Sequence, residues 1–333
     1  MTPDEARQRF IDEHQTFKDA AVALREYLDN LCRTLRVPAA VEAREKGIGS
    51  FVKKIYLNKY TRPWEEITDK VGGRIIVGTL QDVQKLRDAL VEGDAAAELE
   101  ARDIVDKSEE AAEDKLHYPG VHAQITVPGV QTADGQPIEA ELQLRTKGQD
   151  LWAVVSHKLD YKGAITPAKQ TRRRILRLSV LPEMFDQEVG TAMNELAADP
   201  AYVNARYLQL AEAEYLRFVG EPGNDLLSLE VIETILPAMA EGQDSDGYAQ
   251  DLGDFVNHHL DKLQDIYARY GNFTEWAQEP SYWLFSQPES TIVFHLIDTR
   301  PVALANTVRG TELHTVIARL YAAWGRAMPA EPD

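Results

Sequence analysis

The chain has 333 residues, of which 44% are hydrophobic and 27% charged, and its net charge is −18 at pH 7. These values are typical of a globular protein with a sizeable core and exclude a disordered chain. No apolar run reaches the ~18 residues of a membrane helix, and the polar start MTPDEARQRFIDEH lacks a signal-peptide core. The one cysteine, Cys32, excludes an internal disulfide framework, suits a reducing cytoplasm and is predicted to be a core residue.

The charge is unevenly distributed along the chain. Residues 186–333 contain 8 Lys+Arg against 24 Asp+Glu, a balance of −16, which leaves −2 for residues 1–185. A strongly acidic second half repels phosphate and argues against a broad nucleic-acid surface there. The first half keeps clustered cations, which is consistent with a phosphate-handling module followed by a region with a different task.

The first predicted elements are a long helix, a short strand and a second helix. Apolar residues at helical spacing predict one helix over 4–36. A strand ending near Arg44 and a glycine turn come next, then a helix over 50–60 with Ser50 as its N-cap. This arrangement gathers cations around a helix start, which favours anions: Arg44, Lys46, Lys53 and Lys54. The alternative is a solvated basic face.

The remaining pattern predicts an α+β fold, a mixed β-sheet flanked by helices and followed by an all-α C-terminal region. The predicted strands cover 69–77, 98–105, 121–127 and 138–146, with helices over 80–93 and 150–162. A short Asp-Gly turn joins the last two strands, so these two run antiparallel. Strand signals nearly vanish after residue 166, and we expect a synthetase-type domain over 1–198 and an acidic helical domain over 199–333.

The strand over 138–146 alternates polar and apolar side chains. One face carries Glu139, Glu141, Gln143 and Arg145, and the other carries Ile138, Leu142 and Leu144. Asp69 and Arg74 form a second acid-then-arginine pattern upstream. Converging carboxylates from two strands can hold a magnesium ion, and arginines beside them can hold phosphate. The alternative is a polar row that simply faces water.

Five motifs occur in a fixed order over about residues 40–165. They are R-x-K-x-x-x-S-x-x-x-K (Arg44, Lys46, Ser50, Lys54), D-x-x-G-x-R (Asp69, Gly72, Arg74), Tyr118 with His122, E-x-Q-x-R-T (Glu141, Gln143, Arg145, Thr146) and W-A-x-x-x-H-x-x-x-Y-K (Trp152, Ala153, His157, Tyr161, Lys162). In order and spacing they resemble the synthetase domain of the RelA/SpoT alarmone synthetases. The closest class is the small synthetases and their toxin-like relatives, here with an extra helical region.

The resemblance implies a nucleotidyltransferase-like sheet that transfers pyrophosphate from ATP to the 3′-hydroxyl of GDP or GTP, making (p)ppGpp. It implies Mg²⁺ as cofactor, bound by Asp69 and Glu141, with Glu141 also activating the hydroxyl. It implies that ATP is bound by Arg44, Lys46, Ser50, Lys54 and Arg74. It implies that the acceptor nucleotide is bound by Tyr118, His122, Gln143 and Arg145.

Other acceptors and other roles stay open. Toxin-like members of the family act on the 3′ end of transfer RNA or on adenine nucleotides, and the run His117-Tyr118-Pro119-Gly120 departs from the usual acceptor motif. Arg172, Arg173, Arg174 and Arg177 are a candidate surface for transfer RNA, or the exposed stripe of a helix. A third hypothesis is a nucleotide-binding regulator without turnover, whose acidic helices bind a protein partner or mask the basic site. Small members often form tetramers, so a homo-oligomer is also considered.

Overall fold

The computed structural model describes residues 1–58, 60–93, 101–107, 120–159, 168–199, 202–219, 225–239 and 245–330. The chain divides into two compact units. The first contains residues 1–35 and 39–193, and the second contains residues 36–38 and 194–333.

The first unit combines helices with one sheet. Its helices are α1 (Pro3–Asp12), α2 (His14–Thr34), α3 (Ile48–Asn58), α4 (Pro63–Glu66), α5 (Leu80–Glu92), α6 (Lys147–Leu159) and the start of α7 (Lys169–Ala198). Its strands are β1 (Ala39–Glu45), β2 (Val71–Val77), β3 (Ala101–Asp106), β4 (Val121–Gln131) and β5 (Pro137–Thr146).

The five strands form one sheet in the order β1-β2-β5-β4-β3. Strands β2 and β5 run parallel, whereas the other three neighbouring pairs run antiparallel. The predicted mixed sheet flanked by helices is therefore confirmed.

One face of the sheet is apolar and packs against α2. Leu24 and Leu28 of α2 are fully buried there, and the backbone of Gly73 in β2 lies directly beneath them. A Cβ atom at Gly73 would stand 3.0 Å from Leu28 Cδ1 and 3.2 Å from both Leu24 Cδ2 and Leu142 Cδ1. The close approach of α2 to the sheet therefore depends on a glycine at this position.

We expect Gly73→Ala to lower the free energy of unfolding by about 1–3 kcal/mol, because the added methyl group overpacks the contact with α2. Gly49→Ala is the matched control, since no atom lies within 4 Å of a Cβ placed there and alanine favours the helix around it. Urea unfolding measures both variants. Equal stability of Gly73→Ala and the parent protein would contradict the packing argument.

Several predicted boundaries in the first unit were wrong. The helix expected over 4–36 is interrupted at Glu13, which lets Phe10 of α1 stack on Phe51 of α3 with ring centroids 3.9 Å apart. Helix α3 begins at Ile48, so Ser50 lies within its first turn and is not the N-cap. Helix α6 begins at Lys147 instead of residue 150. The apolar spacing continues across Glu13, so the sequence does not reveal this interruption.

The described residues of the second unit form helices joined by turns and contain no strand, as predicted. Its helices are the end of α7, then α8 (Val203–Tyr215), α9 (Asp225–Ile235), α10 (Ser245–His258), α11 (Leu260–Tyr270), α12 (Ser290–Thr299), α13 (Pro301–Val308) and α14 (Leu313–Trp324), with short 3₁₀ turns at 236–238, 275–278 and 283–286. Helices α10 and α11 are separated at His259. Every residue from Ser290 to Ile297 is buried, so α12 lacks the two-faced pattern that marks a surface helix.

A buried carboxyl group lies at the start of α12. Glu289 has no exposed surface. The Ser228 hydroxyl lies beside its carboxylate and acts to lower its pKa, but neither carboxylate oxygen has a hydrogen bond of good geometry within the described part of the chain. Burial is the main cause that raises the pKa of Glu289 to about 7, because a charged carboxylate loses its hydration there. The second unit thus carries a group that can lose its proton near neutral pH.

Two further features concern the single cysteine and the lengths of the helices. Cys32 is buried, as predicted for a core residue, and burial raises its pKa to about 12. Among the described residues, no helix combines the length and apolar character needed to span a bilayer.

Candidate functional site

A cavity of about 590 Å³ opens on the polar face of the sheet in the first unit. It is lined by Arg25, Val41, Glu42, Ala43, Arg44, Glu45, Lys46, Gly47, Ser50, Asp69, Gly72, Gly73, Arg74, Glu141 and Gln143. Seven of these were predicted site residues, drawn from β1, the β1–α3 connection, α3, the turn before β2, and strands β2 and β5. Residues far apart in sequence therefore surround one space.

Strand register explains why these side chains share a face. Gly72 and Arg74 alternate with buried residues in β2, and they pair across the sheet with Glu141 and Gln143 of β5. Because side chains on neighbouring strands alternate in step, paired residues point to the same side. Gly72 adds no side chain, so the space above Glu141 stays open.

Asp69 is held between two lysines at one end of the cavity. Lys46 Nζ donates to Asp69 Oδ2 at 2.6 Å, and Lys54 Nζ donates to Oδ1 at 3.0 Å. Partial burial opposes ionisation of Asp69, but the hydrogen bonds from the two lysines outweigh it and lower its pKa. The carboxylate is therefore charged at neutral pH, and each of its oxygens accepts a hydrogen bond from a lysine.

Glu141 is held by two neighbours on the same oxygen. His122 Nδ1 lies 3.1 Å from Glu141 Oε1, and Gln143 Nε2 donates to that oxygen at 3.1 Å. The contact with His122 is the main cause that lowers the pKa of Glu141, against burial and the nearby charge of Asp69. A charged carboxylate with one oxygen held in place can accept a proton or a metal ion on the other.

Two arginines meet at an aspartate that the sequence analysis did not single out. Asp150 Oδ1 lies 3.1 Å from Arg74 Nη1 and 3.3 Å from Arg145 Nη1. Arg74 lines the cavity, whereas Arg145 is buried behind it with 8% of its side chain exposed. The only sequence signal for Asp150 is its position one helical turn after the E-x-Q-x-R-T motif.

The other predicted residues have different positions. Lys54 reaches Asp69 without lining the cavity, and His122 contacts Glu141 from β4. Tyr118 lies outside the described residues, as does the side chain of His157. Trp152 of the last motif is buried. Arg25 and Glu42 also line the cavity and were missed, because each reads as an ordinary exposed position on its own element.

The carboxylates fit a magnesium ion that shares its coordination with a substrate. Asp69 and Glu141 lie on the wall of one cavity, and the described residues contain no cluster of three or more metal-binding side chains. Magnesium is usually bound by one or two carboxylates together with substrate phosphates and water. The donor set therefore suits a metal ion that arrives with a polyphosphate.

The sequence pattern of a family described as "Region found in RelA / SpoT proteins" matches residues 43–166. Residues 43–166 are therefore similar to the RelA/SpoT region of that family. This segment contains β1 to β5 except for the first residues of β1, together with most of the cavity wall. The resemblance inferred from the five motifs is thereby confirmed for this part of the chain.

A curated relative is also similar to about half of this chain. The GTP pyrophosphokinase YjbM of Bacillus subtilis (strain 168) is 25% identical over 160 residues, which are 47% of this chain and 72% of that protein.

Solved structures resemble the chain over a similar length. Small alarmone synthetase 1 from Bacillus subtilis is 24% identical with a TM-score of 0.47, covering 55% of this chain and 95% of that one. A GTP pyrophosphokinase family protein from Streptococcus pneumoniae is 21% identical with a TM-score of 0.49, covering 61% and 96%.

Proposed function

We propose that this protein is an ATP-dependent pyrophosphokinase that transfers the β,γ-pyrophosphate of ATP to the 3′-hydroxyl of GDP or GTP, making (p)ppGpp. The observation that carries the proposal is the cavity in which Asp69 and Glu141 lie beside Arg44, Lys46 and Arg74. The match to the RelA/SpoT family and the similarity to a GTP pyrophosphokinase of Bacillus subtilis support the same class of reaction.

The reaction requires placement and charge neutralisation more than covalent help from the protein. The ribose 3′-oxygen attacks the β-phosphorus of ATP, the bond from that phosphorus to the α,β-bridging oxygen breaks, and AMP leaves. Glu141 takes the proton of the 3′-hydroxyl. Asp69 and Glu141 would hold Mg²⁺, which supplies positive charge to the triphosphate.

Cations around the cavity suit the donor nucleotide. Lys46 and Arg74 lie on its wall, and Lys54 contacts Asp69. All three can therefore help to neutralise the negative charge of a polyphosphate. Arg44 is exposed and makes no ion pair with another described residue. Its planar guanidinium is therefore free to stack on an adenine ring, which a lysine could not do.

A labelling assay tests the proposal. The protein is incubated with γ-labelled ATP and Mg²⁺, and GDP, GTP, ATP and transfer RNA are offered separately. Label on guanine nucleotides supports the proposal, and label on an adenine nucleotide or transfer RNA assigns a different acceptor to the same chemistry. No label on any acceptor would overturn the proposed activity.

His122 should control how Glu141 responds to pH. We expect His122→Ala to move the acid limb of the kcat/KM profile to higher pH. The contact with His122 lowers the pKa of Glu141, so without it the base is protonated, and inactive, at a higher pH.

The profile is measured between pH 5 and pH 8 with saturating Mg²⁺. Thr126→Ala is the matched control, because Thr126 lies on the same face of β4 but pairs with Glu139. An acid limb that stays in place in His122→Ala would contradict a role for His122 in setting the state of Glu141.

A further inference from the structure

The first turn of α6 is fixed by a buried reciprocal cap. The Thr146 backbone N–H donates to Gln149 Oε1 at 2.9 Å, and the Gln149 N–H donates to Thr146 Oγ1 at 3.0 Å. Both residues are buried, with Thr146 fully so. Such a capping box satisfies two helix-end donors and fixes the direction in which the helix leaves the strand.

A carboxylate from α7 completes this cap. The Thr146 hydroxyl donates to Asp186 Oδ2 at 2.5 Å, and Asp186 is only 2% exposed. A Cβ atom at Gly148 would stand 2.9 Å from Asp186 Oδ1, so the start of α6 lies directly against this carboxylate. A negative charge at a helix start is stabilised by the helix dipole. The free-energy cost of burying that charge is lowest when the carboxylate also accepts a hydrogen bond.

The same first turn carries the residue that holds the two arginines. Asp150 lies one position after Gln149 and contacts both Arg74 and Arg145 through one oxygen. The position of Asp150 follows from the path of the first turn of α6. A shift of that turn would therefore withdraw the acceptor that aims Arg74 at the cavity.

We propose that Asp186 is a positioning residue for the phosphate-binding site, acting through the Thr146 cap and Asp150 on Arg74. Asp186 lies twenty residues beyond the matched RelA/SpoT region, so α7 becomes a functional part of the first unit. This inference rests on the proposed function, because it takes Arg74 as a ligand of the ATP phosphates.

Binding and turnover together test the inference. The affinity for a non-hydrolysable ATP analogue with Mg²⁺ is measured by calorimetry in Asp186→Asn, Asp150→Asn and the double variant, and KM and kcat follow for ATP. We expect each single variant to weaken ATP binding about tenfold, as loss of an outer-shell partner commonly does. The double variant should bind no more weakly than Asp150→Asn alone, because both changes act on the same contact.

Controls separate positioning from general damage to the fold. Glu188→Gln removes the same charge from an exposed position on α7 and should bind ATP as the parent protein does. Thr146→Ser keeps the hydroxyl and should retain affinity, whereas Thr146→Val should lose it. These two variants test the chain of contacts even where Asp186→Asn fails to fold.

Each outcome bears on one hypothesis. Unchanged affinity in a folded Asp186→Asn, or single effects that multiply in the double variant, overturns the positioning role and leaves the proposed function standing. A parent protein that binds no ATP analogue and transfers no label overturns the proposed function instead.

Discussion

Replacing Glu141 with glutamine is expected to reduce pyrophosphate transfer by about 10²- to 10⁴-fold, the usual loss when a positioned general base is removed. Glutamine keeps the shape of the side chain but cannot take the proton of the 3′-hydroxyl or offer a charged oxygen to Mg²⁺. The side chain is partly exposed at the cavity, so little change in folding stability is expected.

The measurement is the rate of label transfer from γ-labelled ATP to the acceptor that the parent protein prefers. Glu139→Gln is the matched control, because Glu139 lies two residues away on the same face of β5, outside the cavity wall. The control should transfer label at nearly the parent rate. Equal rates in the Glu141 variant and its control would remove Glu141 from the mechanism.

Replacing Glu289 with glutamine is expected to flatten the dependence of stability on pH in the second unit. The pKa of Glu289 is about 7 in the folded chain, above the ordinary value of 4.5. Between these values the folded protein holds a proton that the unfolded chain has lost, so the free energy of unfolding falls as pH rises through this window. Above the folded pKa this group causes no further loss.

The expected difference is on the order of 3 kcal/mol between the two ends of that window, since each unit of pKa shift corresponds to about 1.4 kcal/mol. A second cause raises the pKa of Glu289 together with burial, namely the like charge of Glu212 on α8. The Glu289 carboxylate in turn raises the pKa values of Tyr215 and Tyr267. None of these groups supplies a positive charge to hold the ionised form.

Urea unfolding at pH 5, 6, 7 and 8 measures the effect. The parent protein should lose stability across this range, and Glu289→Gln should lose less. Glu279→Gln removes an exposed carboxylate from the same unit and should follow the parent curve. Parallel curves for all three proteins would show that Glu289 does not titrate in this window.

Much of the fold and half of the cavity wall followed from local sequence patterns. Alternation over residues 138–146 predicted a strand with a polar face, and the structure places that strand at β5 with Ile138, Leu142 and Leu144 buried. Alternation is a property of the extended backbone, so a short segment is enough to detect it. Motif order added the expectation that Asp69 and Glu141 belong to one site.

The helices of the second unit show where local patterns fail. Helix α14 keeps a solvent-exposed side opposite its buried residues, so its apolar spacing can be detected in the sequence. Helix α12 is buried on every side, so its sequence has no polar stripe from which a period could be read. The apolar spacing also continues across Glu13 and His259, so it does not reveal that a helix is interrupted at each of these residues.

The sequence by itself determined the strands, the helical second half and the types of residue that line the cavity, because these follow from short-range spacing and composition. Only the tertiary structure decided that His122 contacts Glu141, that Lys46 and Lys54 both reach Asp69, and that Asp150 joins Arg74 to Arg145. These contacts depend on strand register and helix start points, which long-range packing sets.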